Sequence, residues 1–181
     1  MEHPDVLPAL LRTGLKVIFC GTSAGTVSAR RGAYYAGPGN RFWEILAETG
    51  MTPRRLCPEE FHLLPSFGIG LTDLAKFASG ADSDLSPQAF DRARLESAIR
   101  IAQPRWLAFN GKKAAEAFLD RPTSSLCYKR YEAATPLSGF PPIMVLPSTS
   151  RAASRFWDPL PWLELAQELT KIQIAGGCDA S

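Results

Sequence analysis

Histidine and paired cysteine are what this chain has least of. Its 181 residues hold only His3 and His62, and four cysteines: Cys20, Cys57, Cys127 and Cys178. Two scattered histidines cannot build a metal site or a histidine-centred triad. The cysteines are widely spaced with no C-x-x-C pair, which argues against disulfides, structural zinc and an iron–sulfur cluster. The expectation is therefore a protein with no cofactor. No apolar run approaches the roughly 20 residues a membrane span needs. The opening MEHPDVLPALLRTG carries two prolines and two acids before its first arginine. It lacks the basic start and apolar centre of a secretory signal, so an intracellular, cytoplasmic protein is expected. Charge of one sign is missing too. Twenty Lys+Arg against 18 Asp+Glu leave a formal +2, which permits nucleic-acid binding without arguing for it.

What is present is an ordinary globular composition, 45% hydrophobic and 21% charged, in a chain long enough for one well-buried core. Residues 1–181 read as a single, monomeric domain. Residues 1–14 form an approach segment, with room for a short apolar helix at Val6–Leu11, and 175–181 form a loose tail. Short apolar runs bounded by turn residues mark buried strands at Val17–Cys20, Ser66–Leu71, Trp106–Phe109 and Ile143–Leu146. Between them lie helical patterns: Arg41–Thr49, capped by Asn40 and stopped by Gly50; a start at Pro58-Glu59-Glu60; a helix opened by Ser86-Pro87 and ended by Pro104; Lys112–Leu119; and Trp157–Ile172. Residues 78–86 read as a surface loop, and 120–142 as irregular with an edge strand near Tyr128–Ala133. Strands alternating with helices predict an α/β sandwich, a central four-stranded, mostly parallel sheet covered by helices on both faces.

The stretch from Lys16 to Gly50 organises the rest. A buried strand breaks at Gly21 and Gly25, where small residues let backbone approach a ligand. A loop with two arginines and two tyrosines follows, then a helix. Strand, small-residue loop and helix is where open α/β sheets keep their binding sites.

This stretch reads G-x-x-x-G and then Tyr34-Tyr35-Ala36-Gly37-Pro38-Gly39-Asn40-Arg41-Phe42-Trp43. Phe67-Gly68-Ile69-Gly70-Leu71-Thr72-Asp73, Phe109-Asn110-Gly111-Lys112 and Val145-Leu146-Pro147-Ser148-Thr149-Ser150 follow in order. Together these segments resemble the mismatch-specific uracil and thymine DNA glycosylases of the uracil-DNA glycosylase superfamily, over roughly residues 15–170. The resemblance implies that fold, and an enzyme that flips uracil out of DNA and hydrolyses its N-glycosidic bond during base excision repair. Two rivals stay open: a glycosylase for another deaminated base such as hypoxanthine, and a non-catalytic sensor that binds the damaged base in DNA.

Residue by residue, the resemblance places Tyr35 as the ring that stacks on the flipped base, with Tyr34 structural. Gly21, Thr22 and their loop would offer backbone donors to the base. Ser23 stands where the family has a water-holding asparagine, and Ala24 where it has a proline; the serine either binds water or only tightens the loop. Asp73 stands where an asparagine reads the Watson–Crick edge. An ionised carboxylate is acceptor-only, so it suits uracil N3–H and repels O4. It is also the one carboxylate near these motifs able to assist water, against the plainer reading of a helix cap. Asn110 orders the pocket wall, and Ser148 replaces an asparagine near the base or its sugar. Ser150, Arg151 and Arg155 belong to the loop that enters the duplex, and Lys112 begins a helix that could meet phosphate. With Arg30, Arg31, Arg41 and Lys113, these cations could form one basic face along the strand ends.

Overall fold

In a computed structural model, residues 5–81, 85–131 and 140–175 are described. The core strand β1 (Val17–Ala24) alternates its side chains between two apolar layers. Val17 and Phe19 face one layer, with α2 (Phe42–Glu48) and α5 (Leu160–Ala175). Ile18 and Cys20 face the other, with α3 (Arg92–Ala102) and α4 (Lys112–Leu119). Since both faces are covered, the strand has no polar face, and Val17 to Cys20 are fully buried. The first layer is stitched by rings: Phe19 stacks on Trp162 and meets Phe42 edge-on, with centroids 5.3 and 5.5 Å apart.

The sheet order is β2-β1-β3-β5-β4. β1, β2 (Ile69–Ser79), β3 (Trp106–Asn110) and β5 (Ile143–Leu146) run parallel. The fifth strand, β4 (Arg130–Tyr131), adds antiparallel to β5. So the sheet has five strands where four were expected. The extra one is the edge strand anticipated near Tyr128–Ala133, and its residues 132 and 133 fall outside those described.

Several boundaries differ from expectation, each for a local reason. The first strand does not break at Gly21 but runs on to Ala24, because β2 continues beside it and pairs Gly21 with Asp73 and Ser23 with Ala75. Val6–Leu11 is not helical: Leu10 makes an antiparallel bridge to Leu71, and Val6 N–H donates to Lys76 O at 2.8 Å. Residues 5–10 are thus a strap on the outer edge of β2. β2 runs on to Ser79 instead of ending at Leu71, which puts Thr72 and Asp73 inside a strand and removes their cap role. It also takes 78 and 79 out of the surface loop, of which residues 82–84 lie outside the described residues. The loop after Gly25 holds a short helix, α1 (Thr26–Arg31), which has no apolar stripe to announce it. Pro58–Phe67 is 3₁₀, with Pro65 inside it. Ser86-Pro87 opens only a 3₁₀ turn, and α3 begins later, where the Asp91 carboxylate caps Arg94 N–H. Arg151–Phe156 is 3₁₀, so α5 starts at Leu160 rather than Trp157. Of the expected tail, 176–181 lie outside the described residues.

Candidate active site

In a parallel sheet all strands deliver their carboxyl ends to one edge. Here the chain steps from β1 outward to β2, then crosses back to β3 on the other side of β1. The crevice at that reversal is where such sheets bind ligands. A cavity of about 520 Å³ lies there, lined by Gly21 to Ser28, Tyr34, Tyr35, Asn40, Asp73, Asn110 and Ser148 to Ala152. That volume suits a nucleoside-sized ligand.

Asp73 forms the floor. Parallel register sets it opposite Gly21. A side chain at 21 would put its Cβ 2.7 Å from Asp73 Oδ1, so only glycine leaves the carboxylate its place. Asp73 is 4% exposed, and among the described residues no protein donor bonds its carboxylate. Burial raises its pKa to about 6, Lys76 pulls it down and Asp5 pushes it up. At neutral pH it is a free buried acceptor.

Tyr35 forms a wall. Its φ of 53° is left-handed, costly for a bulky residue. The corner is braced from both sides: Ala36 N–H donates to Ser28 Oγ at 3.0 Å, and Trp43 Nε1–H donates to Tyr34 O at 3.2 Å. The Tyr35 ring stacks on Phe42, centroids 4.0 Å apart, leaving its other face to the cavity. Its hydroxyl oxygen and that of Ser23 are buried and have no hydrogen-bond partner. A buried polar group left unpaired is costly, so both hydroxyls are available to a ligand or a water. Burial, then the charge of Asp73, push the Tyr35 phenol well up, so it stays a neutral donor.

Asn110 holds the loop after β5. Its Nδ2 donates to Thr149 Oγ1 at 2.8 Å and its Oδ1 accepts from Thr149 N–H at 2.9 Å. Both ends of the amide are bonded to Thr149, which fits an ordering role, and the second N–H of Nδ2 is left for the cavity that Asn110 lines. Thr149 O accepts from Arg41 N–H at 2.9 Å, tying this loop to the one at 37–40. The Arg151 stem packs on Gly39, where an added Cβ would sit 3.2 Å from Arg151 Cδ. Ser148 is half-buried and accepts from Ser150 N–H at 3.3 Å; Ser150 in turn accepts from Ala152 N–H at 3.3 Å as the cap of the next turn.

So Gly21, Thr22, Ser23, Tyr35, Asp73, Asn110, Ser148, Ser150 and Arg151 meet around one cavity. Lys112 and Arg155 do not line it: Lys112 lies over the Tyr128 ring at 4.7 Å and Arg155 over Phe156 at 4.7 Å. The expected basic face is partly neutralised as well, since Arg31 pairs with Glu59 and Lys113 with Glu116. Asn40, read as the cap of a helix Arg41–Thr49, lies one residue before the N-cap, Arg41, of the shorter Phe42–Glu48; its Oδ1 accepts from Phe42 N–H at 3.0 Å, and it also lines the cavity. Sequence reasoning missed Lys76, a fully buried ammonium behind Tyr34. Its available signal was a lysine inside a run of apolar residues. Among the described residues no group of three or more His, Cys, Asp and Glu could hold a metal, and no helix is long and apolar enough to cross a membrane.

Two comparisons bear on this geometry. A sequence model of the Uracil DNA glycosylase superfamily matches residues 8–168. The solution NMR structure of a proposed uracil DNA glycosylase from Methanosarcina acetivorans superposes with a TM-score of 0.64 at 25% identity, covering 94% of this chain and 99% of that one.

Proposed function

The chain belongs to the uracil DNA glycosylase superfamily and is a DNA glycosylase, and from that premise we propose that it removes uracil from DNA, as a monofunctional hydrolase of the mismatch-specific type. The observation that carries this reading is the Asp73 carboxylate, buried at the cavity floor with no protein donor of its own. Deamination turns the ring nitrogen of cytosine from an acceptor into an N–H beside a carbonyl. An ionised acceptor attracts that N–H and repels the unprotonated nitrogen of cytosine. Only a flipped base could reach Asp73, and flipping is least costly at a mispair.

Tyr35 would cover one face of the base. The buried hydroxyls of Ser23 and Tyr35 would hold water or the base oxygens, and backbone N–H groups at the end of β1, on the side that β3 leaves open beyond Cys20, would meet the charge growing on the leaving base. The negative Asp73 would stabilise the positive sugar in the transition state and polarise the attacking water. No lysine is among the residues lining the cavity, which supports hydrolysis over Schiff-base chemistry. Ser150 and Arg151, on the rim, would enter the duplex; Lys112 and Arg155 would reach phosphates further out.

The same acceptor suits N1–H of hypoxanthine, and about 520 Å³ admits a purine. The test is single-turnover excision of uracil, thymine and hypoxanthine from single- and double-stranded DNA. Uracil should be released fastest, with an acid limb near pH 6. Release of hypoxanthine alone would reassign the substrate, and binding without release of any base would make the protein a sensor.

A further inference from the structure

The cavity-lining residues do not explain Lys76, a lysine inside a sheet. Its side chain is fully buried, and the Nζ donates to Leu7 O and to Tyr34 Oη at 3.0 Å, with an Asp5 carboxylate oxygen at 3.8 Å. Two of these partners lead back to the cavity. Leu7 and Tyr34 line it, and the Tyr34 ring lies 6.1 Å from that of Tyr35. Asp5 is itself clamped by Arg94 of α3, at 3.0 and 3.1 Å to its two oxygens. The Tyr34 hydroxyl donates on to Pro8 O at 3.2 Å. Any buried ammonium needs such partners, since burying a charge without them is strongly unfavourable; what distinguishes this one is that Leu7 and Tyr34 are cavity-lining residues.

We propose that Lys76 is a positioning residue for base excision: its buried ammonium sets the charge of the Asp73 carboxyl at the cavity floor, and the strap of residues 5–10 holds that ammonium in place. Lys76 and Asp73 are both buried on β2, three residues apart; the register of β2 against β1 shifts after Ala75, and Lys76 turns to Tyr34 in the layer of Ile69 and Leu71, whose alternation Asp73 shares. Five groups bear on Asp73. Cys20 of β1 is a neutral thiol, pushed up by burial. Tyr34 and Tyr35 are neutral phenols, pushed up by burial and by Asp73 itself. Asp5 of the strap repels it, and Lys76 is the cation that attracts it. Burial lowers the lysine's own pKa while Asp73 and Asp5 raise it and Arg94 lowers it, so its charge depends on these two carboxylates. Asp5 therefore opposes Lys76 at Asp73: it shares the ammonium and adds a like charge.

The proposal rests on the uracil-excision reading for its catalytic half. The test accordingly has two readouts: the titration of the Asp73 carboxyl carbon by NMR in ¹³C-aspartate-labelled protein, and the pH profile of single-turnover uracil release. Lys76→Met should move the Asp73 midpoint upward by about one unit or more, the size expected for a nearby opposite charge, and the acid limb should move with it. Lys76→Arg should restore both. Lys76→Gln, which removes the charge but can still hydrogen-bond Leu7 O or Tyr34 Oη, should move both upward as well and decides the matter if Lys76→Met does not fold. In an Asp73→Asn background, Lys76→Met should leave the pH profile unchanged. Unmoved midpoints would overturn the proposal, as would midpoints that move while the acid limb stays. A protein that releases no base would sink the excision reading instead, and the titration would still decide whether Lys76 governs Asp73.

Discussion

Replacing Asp73 by asparagine should make the protein more stable and less active, by amounts that depend on pH in a calculable way. The folded protein holds the Asp73 proton up to about pH 6, whereas an unfolded aspartate releases it near 3.9. The contribution of this group to folding is therefore fully present below about pH 4 and is lost as pH rises through 6. A gap of about two units corresponds to about 3 kcal/mol at 1.4 kcal/mol per unit. Asparagine keeps the size and never ionises, so the variant escapes that loss. The Lys76 attraction is already inside that gap, because it pulls the Asp73 pKa down. Urea denaturation at pH 8 should show the variant more stable by about 3 kcal/mol, or about 6–12 °C in thermal midpoint for a chain of this size. At pH 4 the two proteins should be equal. Uracil release by the variant at pH 8 should fall by about 10²–10⁴-fold if the carboxylate acts on water or the sugar cation. A stability difference that is the same at both pH values would refute the burial argument, and full activity would refute the catalytic one.

The other predictions concern the rest of the cavity. Ser23→Ala should cost less activity than Asp73→Asn, because it removes one weak hydrogen bond worth about 0.5–1.5 kcal/mol; the reverse order at saturating enzyme would return the water to the first loop. Tyr35→Ala should fold and lose about ten- to a hundredfold in uracil release, since stacking is worth about 1–3 kcal/mol per base; unchanged release would take Tyr35 out of the site. Arg151→Ala should slow cleavage of double-stranded DNA more than of single strands, and equal losses would reduce Arg151 to a phosphate contact.

The sheet's core was legible because β1, β3 and β5 open as apolar runs, although Gly21 does not end β1, and the match at Lys112–Leu119 reflects a strong helical pattern after Gly111. The length of β2 was not legible: Thr72, Asp73 and Lys76 look like the end of a strand, and they are buried only because the cavity and the strap give them a polar purpose. The cavity members Gly21, Tyr35 and Asp73 were legible through motif order. The engagement of Asn110 with Thr149 was not, because it joins residues 39 apart that only the sheet brings together. Lys112 and Arg155 point the other way. Both lie beside strand-end loops, yet each settles on a neighbouring ring, and sequence carries no record of where a long side chain turns.

The strap has a bearing on the order in which the molecule is made. Its lysine bond joins residues 69 apart and its arginine clamp residues 89 apart. A ribosome delivers residues 5–10 first, but their berth on β2 does not exist until Lys76 has emerged, and Asp5 waits for Arg94. Residues 5–10 are thus made before the strand and helix that hold them, and Asn110 and Ser148 to Ala152 complete the cavity wall later still. A nascent chain that ends at Asp73 carries the motifs of the first loop without the buried ammonium and the strap that shape the floor.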